Sequence, residues 1–175
     1  TTHANQQKVP HWSTFIDTFM ALEHVSKDPK INISKVGITG WSRGGAISIM
    51  ASEKKLRDAL IDKNLFFAAA QPRSPPCWSI GMFKNPTPTP ETKTWMVLGG
   101  ADDYTGAEPC VELGKKIKAN GGNIEVTVKK GWHHGFTANY EEEWEKEGMV
   151  FTNCPGYFTN DDGTTSSSDP NYKWA

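Results

Sequence analysis

The chain has 175 residues, with 19 basic against 20 acidic side chains and a net charge of -1; it carries no basic tract of the kind that holds nucleic acid or an anionic membrane surface. No apolar stretch approaches the roughly 20 residues that cross a bilayer, and the three cysteines, spaced 33 and 44 residues apart, lack the tight pairs of a zinc site. What remains is a domain large enough to bury its own core, with no call for a metal or cofactor and with a small, roughly neutral molecule as its expected partner.

From His11 to Ser26, Trp12, Phe15, Ile16, Phe19, Met20 and Glu23 recur at three- and four-residue steps. That is the period of an amphipathic helix, and Asp28-Pro29 stops it. Lys35 to Thr39 reads as a short strand and Gly44 to about Leu56 as a second helix. Leu65 to Ala70, LFFAAA, is a continuous apolar run bounded by Asn64 and Pro72, as in a strand buried on both faces. Residues 71 to 93 hold six prolines and read as a long loop without a regular interior. Thr94 to Leu98 is the next strand; Glu108-Pro109 then opens a helix that Asn120-Gly121-Gly122 closes. Ile124, Val126 and Val128 alternate with polar neighbours, which suits a strand near the sheet margin. Tyr140 and Trp144 lie four apart on an expected helix whose opposite face is the acidic run Glu141 to Glu147. Residues 151–175 form a polar tail, expected as flexible surface beyond a main domain of residues 1–150, and Asp161-Asp162-Gly163 within it lacks the spacing of a calcium loop. The alternation of strands and helices predicts an α/β fold, a mostly parallel sheet of about four strands with helices on both faces.

Gly40-Trp41-Ser42-Arg43-Gly44 matches G-x-S-x-G between a predicted strand and a predicted helix. In that context the serine occupies a strained turn, and the flanking glycines are expected to be needed where a side chain would strike the neighbouring strand or helix. A serine hydroxyl is a weak nucleophile and needs a base, which needs a carboxylate to orient it. The strand TWMVL runs into Gly99-Gly100-Ala101-Asp102-Asp103, and the strand IEVTV is followed by Trp132-His133-His134-Gly135-Phe136. Both strands thus deliver such groups to the carboxyl edge of the sheet, where ligands bind in open α/β folds. Asp102 is preferred as the acid with Asp103 as its support, a cap on the following turn being the alternative for either. The order Ser, Asp, His is that of α/β-hydrolases.

GWSRGG, GGADDYTGAEPC and GWHHGF resemble the three catalytic segments of the dienelactone hydrolase family. The resemblance extends over roughly residues 12 to 140. In that family the acid follows a strand as G-x-x-D and the histidine lies in H-x-F, which implies Asp102 and His134, with His133 as a loop neighbour. It implies a partial α/β-hydrolase fold lacking its amino-terminal strands, with the backbone amide of Arg43 as one oxyanion donor. The archetypal members carry cysteine as nucleophile; serine here favours general ester hydrolysis over opening of a dienelactone ring. Only 41 residues precede Ser42, too few for the strands and second oxyanion donor that the family places before the elbow. The expectation is therefore the carboxyl-terminal portion of a larger hydrolase, completed by a second chain or a missing amino-terminal segment.

Trp41, Trp78 and Trp132 flank these segments and are candidates for an aromatic substrate pocket, with core packing as the alternative for each. Arg73 is either a carboxylate partner or an ordinary surface residue. Cys77 and Cys110 fall near the same sheet edge; they read either as a disulfide, which would suit secretion or a periplasm, or as free thiols, and Cys154 is left over. Asn32-Ile33-Ser34 fits a glycosylation sequon. The leading function is a serine esterase acting through an acyl-enzyme. A prolyl oligopeptidase-like peptidase, and a non-catalytic interaction module completed by a partner chain, are the alternatives.

Overall fold

A computed structural model describes residues 8–78, 82–138 and 146–171. Helix α1 spans His11–Ser26 and buries Phe15, Phe19 and Leu22; of the stripe expected from sequence, Trp12, Ile16 and Met20 remain exposed, and Leu22, which was not on it, is buried instead. The chain then makes a single 3-10 turn at Ile33–Lys35, in which the side chain of Asn32 accepts from the Ser34 amide. That turn delays the first strand, β1, to Gly37–Trp41.

The helix after the elbow is shorter than its small residues suggest. α2 covers Arg43–Met50; Ser52 Oγ then donates to the Ile49 carbonyl at 2.7 Å, and Glu53 starts a separate helix α3, Lys54–Leu60, by accepting from the Lys55 amide. Glu53 is itself buried and also takes the Thr87 amide, at 2.9 Å to its Oε2. It therefore pins the proline-rich loop to the start of α3.

The run LFFAAA is a strand only at its end. β2 is Ala69–Arg73, whereas Phe67 and Leu65 pack in a second core beneath α1 with Leu22, Ala51 and Ile61. Their apolarity serves that satellite core. β2 carries Pro72 in its interior, and its ladder to the next strand pairs residues 69, 70 and 73 but skips Gln71 and Pro72, as a residue without an amide proton requires. β3 is Met82–Phe83, β4 Lys93–Gly99, α4 Glu108–Ala119 and β5 Asn123–Lys129.

The main sheet has the order β1-β2-β4-β5, and every pairing in it is parallel. Phe15 of α1, Ala46, Ile49 and Met50 of α2, and Leu113 and Ile117 of α4 share one core with Met96, Leu98 and Ile124 of the sheet. The alternate strand positions point the other way, where Trp41 and Trp95 are 39% and 46% exposed. Among the described residues β1 has β2 on one side and no strand on the other.

The tail is more ordered than its composition predicts. Tyr157–Thr159 and Thr165–Ser167 form β6 and β7, and β6 adds to β3 in a second, three-stranded sheet. Met82 and Thr159 are buried in this sheet and Tyr157 and Phe158 half-buried, so the tail strand is held by side-chain packing as well as by its backbone pairing. Asp161 and Asp162 bond to Lys55, Asn85 and Thr164, and no group of side chains fit to hold a metal ion occurs among the described residues. Cys77 and Cys110 are joined, a link over a 33-residue step that contributes about 3 to 4 kcal/mol in the loop-entropy account. Cys154 is an exposed free thiol. Among the described residues no helix is long and apolar enough to cross a membrane. Tyr140, Trp144 and most of the acidic run lie outside the described residues.

Candidate active site

Ser42 sits between β1 and α2 with φ 54 and ψ -119, a left-handed conformation that costs a non-glycine residue about 1–3 kcal/mol and persists only where its surroundings impose it. They do so through backbone. The Ser42 amide donates to the Arg73 carbonyl at 2.9 Å, and the Ser42 carbonyl accepts from the Ala46 amide at 3.0 Å. A Cβ on Gly40 would lie 2.2 Å from the Gly44 carbonyl oxygen, and one on Gly45 would lie 2.7 Å from that of Arg73. A Cβ on Gly44 would meet nothing within 4 Å. The close approach expected at the second glycine of G-x-S-x-G is therefore found one residue later, where α2 crosses β2.

The loops that carry Asp102 and His134 are fastened to each other beyond the ends of their strands. Gly100 and Ala101 donate amides to the carbonyls of Lys129 and Trp132 at 2.8 and 2.9 Å, and a Cβ on Gly99 would stand 2.5 Å from the Trp132 oxygen. This backbone docking brings Asp102 to His134. Asp102 Oδ2 and His134 Nδ1 are 2.8 Å apart, with side chains only 2% and 15% exposed.

Asp102 accepts three further bonds. The amides of Tyr104 and Thr105 reach Oδ1 at 3.1 and 2.9 Å, and Thr105 Oγ1 reaches Oδ2 at 2.9 Å. Burial pushes the Asp102 carboxyl up, but the hydrogen bonds and charge of His134 together with the Thr105 donors outweigh it and bring the pKa down to about 2. An ionised carboxylate only accepts, so Nδ1 of His134 carries the proton and Nε2 is left with its lone pair to act as a base.

Trp41 couples the elbow to this pair. Its indole Nε1 donates to the His134 carbonyl at 2.7 Å, and its ring centroid is 5.0 Å from the imidazole. Tyr104 stands 4.8 Å from the imidazole. Tyr104 in turn meets Phe151 edge-on at 5.0 Å, and Phe151 meets Trp78 at 5.7 Å. Of the three tryptophans named from sequence, Trp41 touches the imidazole. Trp78 lies behind Tyr104 and Phe151 and donates to the Thr105 carbonyl at 2.8 Å. Trp132 turns to Phe136 and Lys129 on the surface.

Arg43 is the first residue of α2, so its amide lies at the positive end of the helix, while its guanidinium reaches the Val9 carbonyl at 2.8 Å. Asp103 and His133 are exposed; support for Asp102 comes from residues 104 and 105. Arg73 is half-buried, with Nε making no hydrogen bond. Thr105, Tyr104 and Phe151 were not singled out from sequence. Only the position of Tyr104 and Thr105 in the turn just after Asp102 could have drawn attention to two of them.

A family model described as the dienelactone hydrolase family matches residues 3–150. No curated protein sequence matches the chain. Among solved structures, the native Est2 esterase of the Planctomycetes species Thermogutta terrifontis is similar at 16% identity and a TM-score of 0.56, over 74% of this chain and 57% of that one. Arabidopsis thaliana SOBER1 F65L is similar at 16% identity and a TM-score of 0.54, over 71% of this chain and 56% of that one. Porphyromonas gingivalis dipeptidyl peptidase 4 is similar at 14% identity and a TM-score of 0.54, over 70% and 20%. These likenesses concern the fold. The chain spans little more than half the length of the first two.

Proposed function

The chain belongs to the dienelactone hydrolase family, and from that premise we propose that it is a serine hydrolase that cleaves carboxylic esters through an acyl-enzyme. One observation carries the reading: Trp41 holds His134 by both its ring and its indole N–H, and the next residue is Ser42 in its strained conformation. The bond from Asp102 to Nδ1 leaves Nε2 as the basic atom.

In the first half-reaction Ser42 Oγ attacks the ester carbonyl carbon while Nε2 of His134 takes the hydroxyl proton. The carbonyl oxygen becomes an oxyanion beside the Arg43 amide, at the positive end of α2. The carbon–oxygen bond to the alcohol then breaks, and the proton on Nε2 leaves with the alkoxide. In the second half a water replaces the alcohol. His134 takes its proton as the water oxygen attacks the acyl carbon, then gives that proton to Ser42 Oγ as the bond from the acyl carbon to Oγ breaks and the carboxylic acid leaves.

The proposal includes a completing segment. A single backbone donor leaves the oxyanion short of its usual second partner, a loss that typically costs 10²- to 10³-fold in rate. An unpaired β1 edge and a length near half that of similar structures support a second chain, or a further segment of the same domain, that pairs with β1 and supplies the missing donor. No nucleic acid or membrane partner enters this reading. The substrate is a small-molecule ester.

A fluorophosphonate probe applied to the native protein should label wild type stoichiometrically and leave Ser42→Ala unlabelled at an unchanged melting temperature. A folded wild type that takes no label would overturn the assignment of Ser42.

A further inference from the structure

We propose that Thr105 is the positioning residue of the Asp102–His134 pair, fixing which nitrogen of His134 is free to act. The inference rests on the triad reading above. Thr105 is 1% exposed, yet none of its polar atoms is idle. Its amide serves Asp102 Oδ1 at 2.9 Å and its hydroxyl serves Asp102 Oδ2 at 2.9 Å, while its carbonyl receives the Trp78 indole at 2.8 Å. The hydroxyl oxygen also lies 3.3 Å from His134 Nδ1.

These distances specify the protons. Oδ2 of an ionised carboxylate has none to give, so the Thr105 hydroxyl spends its single hydrogen on Oδ2 and turns lone pairs outward. Nδ1–H of His134 therefore points into two acceptors, Oδ2 at 2.8 Å and Oγ1 at 3.3 Å. In the opposite tautomer the single hydroxyl hydrogen would have to choose between the bare Nδ1 at 3.3 Å and Oδ2 at 2.9 Å, leaving one of the two acceptors without its donor in a site shielded from water. Thr105 thus penalises the wrong tautomer and keeps the carboxylate plane turned toward the ring. Asp102 alone supplies the first of these effects at one oxygen and the second not at all, because a carboxylate rotates about its own Cβ–Cγ bond.

The hydroxyl can do this because Thr105 is itself held. Trp78 follows Cys77, which is linked to Cys110 near the start of α4. The segment between the acid and α4 is thereby gripped from the side opposite Asp102. A threonine in a free turn would exchange rotamers; this one is buried and tied at its carbonyl.

The test compares Thr105→Val, which keeps the shape and loses the hydroxyl, with Thr105→Ser, which keeps the hydroxyl. Thr105→Val should lower kcat for a p-nitrophenyl ester roughly 10- to 100-fold, the scale of one bond to a charged group, with KM changed by less than about threefold. Thr105→Ser should return kcat to within about threefold of wild type. Ring ¹⁵N spectra of His134 supply a readout independent of turnover: a single Nδ1–H tautomer in wild type and Thr105→Ser, and mixed tautomers in a folded Thr105→Val. An unchanged tautomer in Thr105→Val overturns the proposal whether or not the protein turns over ester. If wild type neither hydrolyses esters nor labels at Ser42, the esterase reading fails, and the ¹⁵N result alone decides the role of Thr105.

Discussion

Asp102 keeps its charge in a buried place because four donors converge on its two oxygens. Its folded pKa of about 2 lies below the ordinary 3.8, so folding favours the ionised form. The sign follows from linkage: the contribution is present in full above about pH 4 and is lost as the pH falls toward 2, amounting to about 2 kcal/mol. Denaturant unfolding of wild type and Asp102→Asn between pH 2 and 6 should show wild type losing about that much more stability than the variant below pH 4. Parallel curves would mean that no such network holds Asp102. The G-x-x-D pattern implied by the family resemblance pointed to Asp102, which is the aspartate within 2.8 Å of His134 Nδ1. Thr105 was not legible in the sequence, because a hydroxyl gains its role from the turn that carries it back to the acid.

The turn between β1 and α2 separates two glycines that look equivalent in the sequence. At Gly40 a methyl group would press on the Gly44 backbone at 2.2 Å, and backbone can yield only by moving the elbow. Gly40→Ala should therefore cost at least about 1–3 kcal/mol and remove reactivity at Ser42. Gly44 lies in helix α2 with open space about its Cα, so Gly44→Ala should be tolerated and add up to about 1 kcal/mol. Chemical denaturation of both variants checks the pair; equal destabilisation would contradict the difference in packing. α1, β4, α4 and β5 were legible to within two residues because their periodicities come from one dominant core. β2 was misplaced because Leu65 and Phe67 feed a second core, which makes a coil residue as apolar as a strand residue. The tail strands were missed because the apolar signal of Tyr157 and Phe158 is only two residues long within a polar segment, and backbone pairing sustains the rest.

Among the described residues, the sheet is finished on its helical face and has no strand beyond its β1 edge. Unpaired amides and carbonyls along a strand template association with other strands, and the exposed Trp41 and Trp95 add apolar surface on the adjoining face. The chain by itself should self-associate with rising concentration, and Thr39→Lys, which puts a charge at the exposed centre of β1, should weaken this. Sedimentation velocity measures both, and a concentration-independent monomer would show that the edge is already protected. Three short segments were enough to bring Ser42, Asp102 and His134 to one edge, because each follows a strand of the parallel sheet and those strands end at the same side. What surrounds them was not legible in the sequence, because the contacts among Tyr104, Phe151 and Trp78 join distant parts of the chain. Phe151 lies just past residue 150, where the family match stops. The ring that backs Tyr104 thus belongs to the segment beyond that match. Divergence in the tail can reshape what reaches His134 without altering any residue that makes or breaks a bond.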